Sequence, residues 1–396
     1  MSAPVNRRQW LWSAGLAAGS TALLPKVLPA LDAARGVAPL ASVPRSYHDA
    51  LVEMEAHSTA VRRAAGPVRL CFNENPFGMS PKAKEAIGTG WYEHSQYNLQ
   101  SAPELKKVFA KHVGVDPSYI LITQGSSETL AVAALAYGLN GGEIVTPWPT
   151  FEGLPRYAET IGATVHRVPL MENLGHDFAA MDTRITNAVK LVFVCNPNNP
   201  TGTLEDATTI RDFVRSAAKR AVVVVDEAYH DFVDAPSYKP MIDLVLKGEN
   251  VIVSRTASKI HGIAGLRIGF AIARPDIIRR LEGLATGTQN AFGLQAAIAS
   301  LQDTAYQDYI KTKNREGRAL LTKTLTDMGK RVAPSQTNFV FFHAKMPVEK
   351  VQAAMLAKGF LVGRAFPPYT DWCRVSIGTS EEMTRFVAAL PEALRA

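Results

Sequence analysis

Cysteine is scarce in this chain. Three residues, Cys71, Cys195 and Cys373, serve 396 positions, an odd number without C-x-x-C spacing. They read as buried thiols acting as small apolar side chains, with one disulfide open to a chain that leaves the cytoplasm. Other signatures are missing outright. There is no GxxxxGK[ST], no GxSxG and no HExxH, and the nine histidines show no metal-ligand spacing. P-loop, nucleophile-elbow and zincin chemistries therefore have no foothold, and no metal is expected. No basic stripe is interleaved with aromatics, which argues against nucleic acid as a partner. The formal net charge of +7 is concentrated at the start: residues 1–45 hold five basic side chains and one acid, leaving +3 for the rest.

That start is also compositionally separate. Residues 6–12 read NRRQWLW, followed by a modestly apolar stretch to Leu24 and Pro- and Ala-rich sequence to about Pro44. Paired arginines before a short apolar region look like a twin-arginine export signal, with Trp10 in the aromatic place. The apolar stretch falls short of the ~20 residues a spanning helix needs. Residues 1–44 are thus expected to be leader and linker, engaging the twin-arginine export machinery and delivering a periplasmic or secreted protein. An uncleaved leader would instead anchor it to the membrane; GVA at 36–38 is one cleavage option.

For the whole chain, 47% apolar composition over 396 residues predicts a large core and two domains, or three. The runs LVFVC (191–195), VVVV (222–225) and VIV (251–253) lack period-two alternation. Strands buried on both faces of a parallel sheet look like that. Helical stretches lie between them, so the middle of the chain reads as α/β. From about residue 288 helices dominate, then NFVFFHA, FLVGRAF and CRVSIGT alternate with helices as a smaller α/β unit. The expected division is an N-terminal segment packing on the small domain (45–75), a large domain (76–287) and a small C-terminal domain (288–396).

The polar motifs at the ends of these runs carry the chemistry. Lys259 in TASKIHGIAGLRIGF, Asp226 in VVVVDEAY and Asn199 in NPNNPTG stand in an order that fits pyridoxal phosphate. A lysine amine forms a Schiff base with the cofactor aldehyde, and after exchange with substrate it becomes the general base at the α-carbon. A buried carboxylate, Asp226, keeps the ring nitrogen protonated so that the ring can accept electrons. Asn199 and Tyr229 are candidates to hydrogen-bond the phenolic oxygen. GSSETL (125–130) opens a helix whose free N–H groups suit a phosphate. Ser126, Ser127, Thr256 and Ser258 add hydroxyls, and Arg267 adds a planar cationic fork. Phe151 is placed to stack on the ring. Arg374 in CRVSIGT is the candidate clamp for a substrate carboxylate. Arg364, ten residues earlier, makes a pair that points to a dianionic donor such as glutamate.

Taken together, NENPFG, SQYNL, PTF, NPNNPTG, DEAY, SKIHGIAGLRIGF and RVSIGT resemble the fold-type I pyridoxal-phosphate enzymes, the aspartate aminotransferase superfamily. The branch most resembled is that of the histidinol-phosphate aminotransferases, over about residues 45–396. The resemblance implies a mostly parallel sheet flanked by helices, with Lys259, Asp226 and Tyr229 catalytic. It implies a homodimer with shared active sites, in which Tyr97 reaches the neighbouring subunit's phosphate. It places Asn75 of NENPFG, with Arg374 and Arg364, at the substrate. An exported enzyme would not meet the cytoplasmic intermediates of histidine biosynthesis, so the branch informs mechanism rather than substrate. Export of folded protein also allows the cofactor to be loaded first.

Two rivals share the machinery. A decarboxylase resembling threonine-phosphate decarboxylase would use the same lysine and aspartate, and product analysis separates the two. A non-catalytic regulator on this fold would carry an N-terminal DNA-binding module, for which no candidate precedes residue 45. The leading expectation is a pyridoxal-phosphate-dependent aminotransferase acting on small amino and oxo acids.

Overall fold

The computed structural model describes residues 46–88, 95–97 and 99–395. Residues 1–44, read above as leader and linker, lie outside them with their paired arginines. β1 (Val68–Leu70) precedes the large sheet in the chain. That sheet comprises β2 (Ile120–Thr123), β3 (Glu143–Trp148), β4 (Thr164–Pro169), β5 (Val189–Cys195), β6 (Val222–Asp226), β7 (Val251–Thr256) and β8 (Gly269–Ile272). Its order is β2-β8-β7-β6-β5-β3-β4. β8 runs antiparallel to both neighbours, and the β3–β4, β3–β5, β5–β6 and β6–β7 pairs are parallel.

The unalternating runs have the physical reason expected of them. Successive side chains of a strand face opposite sides. Val192, Val194, Val223, Val225, Val251 and Val253 enter a core under the helices carrying Phe213, Val214 and Leu294. Leu191, Phe193, Val224 and Ile252 enter a second core, against Leu130, Ala133 and Ala134 of the Ser126–Gly138 helix. Both faces are dry, so both parities are apolar.

The C-terminal unit is built around the long helix Thr304–Asp327. β9 (Phe339–His343) and β11 (Trp372–Ser376) pair antiparallel, while β10 (Phe360–Val362) pairs in parallel with β1. Val68 and Leu70 thereby join the core of Leu321, Val340, Phe342, Met355 and Phe386. The N-terminal helix Tyr47–Ala64 is fastened to the same unit. Thr59 Oγ1 donates to Thr379 Oγ1 at 2.9 Å, and Arg62 Nε reaches Glu382 Oε1 at 2.8 Å. Thr379 and Glu382 also form a capping box that starts the last helix, Ser380–Ala393. A further cluster, including Leu51, Phe77, Tyr229, Ile260, Tyr306 and Phe339, joins this unit to the carboxyl edge of the large sheet. Among the described residues no helix is long and apolar enough to cross a membrane, and the three cysteines are free thiols.

Candidate active site

In register, Cys195 sits beside Asp226 and Asp226 beside Ser254, so β5 and β6 end level and β7 runs two residues further, to Thr256. The chain leaves the sheet there through NPNNPTG, DEAY and TASK. In open α/β sheets the carboxyl edge is where ligands bind. A cleft of about 910 Å³ opens at this edge and is closed on its far side by Leu361, Val362, Arg364, Phe366 and Arg374 of the C-terminal unit.

Lys259 lies at its centre, and its Nζ donates to the Asn73 carbonyl at 3.1 Å. Burial, reinforced by the Arg374 guanidinium, lowers its amine to about 8. Asp226 ends β6 with 2% exposure, and burial raises its carboxyl to about 7. Its Oδ1 is buried without a hydrogen-bond partner. An orphaned acceptor of this kind costs about 1–3 kcal/mol unless a ligand satisfies it. Tyr229 OH accepts from Asn73 Nδ2 at 3.0 Å and Asn199 Nδ2 at 3.2 Å, while burial raises its phenol above the usual range.

The phosphate end is shaped by glycine. Gly125 caps the Ser126–Gly138 helix at φ +75° and ψ 162°, without a side-chain cap. The Ser126 and Ser127 N–H groups and hydroxyls therefore remain on offer, and both serines line the cleft. Arg267 holds φ 55° and donates to the Ala264 carbonyl at 2.8 Å and the Gln124 carbonyl at 3.3 Å, which steers its guanidinium over Gly125. A Cβ on Gly125 would strike that guanidinium, and one on Gly269 would strike the Gly125–Ser126 peptide. Thr256 and Ser258 also line the cleft, the Thr256 hydroxyl accepting from the Ser258 N–H at 3.1 Å. Phe151 lies along one wall, packed so closely that a Cβ on Gly153 would come within 2.7 Å of its ring.

These features fit pyridoxal phosphate at three points: an amine of lowered basicity, an unpartnered buried carboxylate oxygen for the ring nitrogen, and an uncapped, glycine-floored helix start beside an arginine. They lie along one cleft.

The substrate end belongs to the arginines. Arg374 is buried, with Nη1 on Asn199 Oδ1 at 2.5 Å and Nη2 on the Cys71 carbonyl at 2.8 Å. Its Nε has no partner. Arg364 is half exposed and pairs with Glu152 at 2.8 Å. Two predicted residues stand apart. Tyr97 does not line the cleft of the single chain and is 87% exposed. Asn75 is spent on structure: its Nδ2 donates to the Ile260 carbonyl and Tyr306 OH, and its Oδ1 accepts the Phe77 N–H. The asparagine at the cleft is Asn73, held at φ 55° and fastened by Ser376, whose Oγ accepts the Asn73 N–H and donates to Asn73 Oδ1. Glu152, Arg156 and Gln352 also line the cleft and escaped the sequence reading. For Glu152 the signal was its place directly after the PTF turn, and for Arg156 its place four residues further on, in the helix that follows.

Comparison with known proteins agrees with this geometry. Residues 65–390 match the family model for aminotransferase class I and II. A histidinol-phosphate aminotransferase from Halalkalibacterium halodurans is 36% identical over 83% of this chain and 89% of its own length. An aromatic amino acid aminotransferase from Cutibacterium acnes is likewise 36% identical, over 83% of this chain and 93% of its own. The structure of a histidinol-phosphate aminotransferase from Sinorhizobium meliloti in complex with pyridoxal-5'-phosphate superimposes with a TM-score of 0.77 at 25% identity, covering 90% of this chain and 99% of that one. The chain belongs to the class I and II aminotransferases, and is a pyridoxal-phosphate-dependent aminotransferase of fold type I.

Proposed function

We propose, for this member of the class I and II aminotransferases, that the cleft moves an amino group from a dicarboxylic amino acid such as glutamate to an oxo acid or related carbonyl acceptor. The observation that supports the reading best is the placement of two guanidinium groups, Arg374 and Arg364, across the cleft from Lys259. When bound, the cofactor supplies an aldehyde and an electron-withdrawing ring. The chain's own residues do the rest. Arg374 receives the substrate α-carboxylate and thereby aims the α-carbon at Lys259. The Lys259 amine, poised near neutrality by burial, is placed to take the substrate's α-proton and hold it at Nζ. Asp226 would hold a proton on the ring nitrogen through its unpartnered Oδ1. Asn199 and Tyr229 would hold the phenolic oxygen, Ser126, Ser127, Thr256, Ser258 and Arg267 would hold the phosphate, and Phe151 would pack on the ring. Asn73 steadies Tyr229, and its carbonyl accepts a hydrogen bond from the free Lys259 amine.

The exposed Tyr97 suits a residue that completes the phosphate site of a second subunit, so the working form proposed is a homodimer. Export through the twin-arginine route to the periplasm or beyond is proposed on Arg7 and Arg8 and the apolar stretch that follows. The test of the central reading is direct. L-Glutamate added to the purified holoenzyme should abolish the visible band of the lysine-bound cofactor and release 2-oxoglutarate. A band that persists rejects glutamate as donor.

A further inference from the structure

Glu152 occupies a place that the transfer of an amino group does not itself require. It follows Phe151 and begins the helix Gly153–Thr160. Its Oε1 lies 2.8 Å from Arg364 Nη2, and its Oε2 lies 3.3 Å from Arg156 Nε. All three side chains line the cleft. The carboxylate is 17% exposed, whereas Arg364 and Arg156 are 52% and 73% exposed. One shielded acid thus serves two cations that face solvent and ligand. The Arg364 guanidinium also lies over the Phe366 ring, 4.4 Å from its centroid, and Arg374 lies 4.7 Å from the same centroid. A ligand held by Arg374 therefore extends past one aromatic ring to reach the Glu152–Arg364 pair. Around that path stand Phe72, 63% exposed, and Leu361.

We propose that Glu152 is a specificity-determining residue, an internal counter-ion that lets one cleft take both dicarboxylic and aromatic or otherwise uncharged amino and oxo acids. The inference rests on Arg374 as the clamp for the α-carboxylate. A substrate with a distal anion must share or displace Glu152 before Arg364 and Arg156 can bind it, and this tempers its affinity. A substrate with an apolar distal group leaves the ion pair closed and packs on Phe72, Leu361 and Phe366. Without Glu152 the two arginines would present unneutralised charge to every ligand, favouring distal anions and disfavouring apolar groups. An aminotransferase returns to its starting form only after an amino acid and then a different oxo acid have used the same cleft, so tolerance of both classes has a use.

The test uses the holoenzyme and two carboxylic acids that bind without reacting, glutarate and 3-phenylpropanoate, measured by calorimetric titration. Glu152→Gln is expected to raise the ratio of glutarate to 3-phenylpropanoate affinity by about two- to fivefold, the range a partly exposed ion pair supports. In the Glu152→Gln/Arg364→Gln double variant that gain should vanish, since its receptor is gone. The ratio of kcat/KM for L-glutamate over L-phenylalanine should move in the same direction as the binding ratio. An unchanged or lowered affinity ratio overturns the proposal. Equal changes for both acids also overturn it, because they mark a general disturbance of the cleft. If the wild type binds neither acid, the proposal falls together with the Arg374 clamp. Failure to release 2-oxoglutarate, with the binding shift present, counts against glutamate as donor and leaves the role of Glu152 standing.

Discussion

Substituting Gly125 by alanine probes the phosphate cradle more sharply than removing any of its polar groups. Two separate penalties are legible. At φ +75° and ψ 162° the backbone occupies a region that is essentially restricted to glycine, and an L residue there costs about 1–3 kcal/mol. The new Cβ would also lie 2.8 Å from Arg267 Cζ and closer still to Nη2, so the guanidinium must leave its position over the helix start. Losing a charge-assisted hydrogen bond to the phosphate is worth about 1.5–3 kcal/mol, or roughly ten- to hundredfold in cofactor affinity. Urea denaturation of the cofactor-free protein reads the first penalty, and titration of that protein with pyridoxal phosphate, followed by absorbance, reads the second. The two are separable by background. In an Arg267→Ala protein, Gly125→Ala should still lower stability, yet weaken cofactor binding much less than it does beside Arg267. A Gly125→Ala protein with wild-type stability and wild-type cofactor affinity would refute the reasoning.

Four further outcomes follow from the site. Lys259→Ala should abolish the borohydride-trapped covalent link between protein and cofactor, checked by mass spectrometry. The rate at which pyridoxal phosphate attaches to the cofactor-free protein should rise with pH through a midpoint near 8, because only the neutral Lys259 amine attacks an aldehyde; the sign in stability is the same, since a lysine whose basicity is lowered on folding makes the fold gain stability as pH rises from about 8 toward the unfolded value. Asp226→Asn should bind the cofactor but lose at least about tenfold in turnover, as an amide cannot hold a cationic ring nitrogen as a carboxylate does. Tyr229→Phe should lower stability by about 1–3 kcal/mol in urea denaturation, because it strands the buried Asn73 and Asn199 amide donors at once.

Much of this site was legible in the sequence because the motifs stand at strand ends. The runs ending in Cys195, Asp226 and Thr256 announce parallel strands, and neighbouring strand ends at one edge of the sheet bring their following residues together. Conformation was less visible. NENPFG offers two asparagines, and the sequence pointed to Asn75. The choice depends on the left-handed backbone at Asn73, which directs that side chain to Tyr229 and leaves Asn75 to the Ile260 and Phe77 backbone. Long-range pairing was hidden for a similar reason. The partnership of Glu152 with Arg364 joins a turn of the large sheet to the C-terminal unit, and no local pattern encodes it. Arg267 was recognisable as a cation, but its steering by the Ala264 and Gln124 carbonyls required the fold.

The short segment between β1 and Asn75 has a mechanical meaning. β1 is fixed in the core of the C-terminal unit. The three residues after it present the Cys71 carbonyl to Arg374 and the Phe72 and Asn73 carbonyls to Lys259. It works as a lever arm. Any rigid tilt of the C-terminal unit swings these oxygens as one piece, tightening or releasing the cation that grips substrate and the amine that handles its proton in a single stroke.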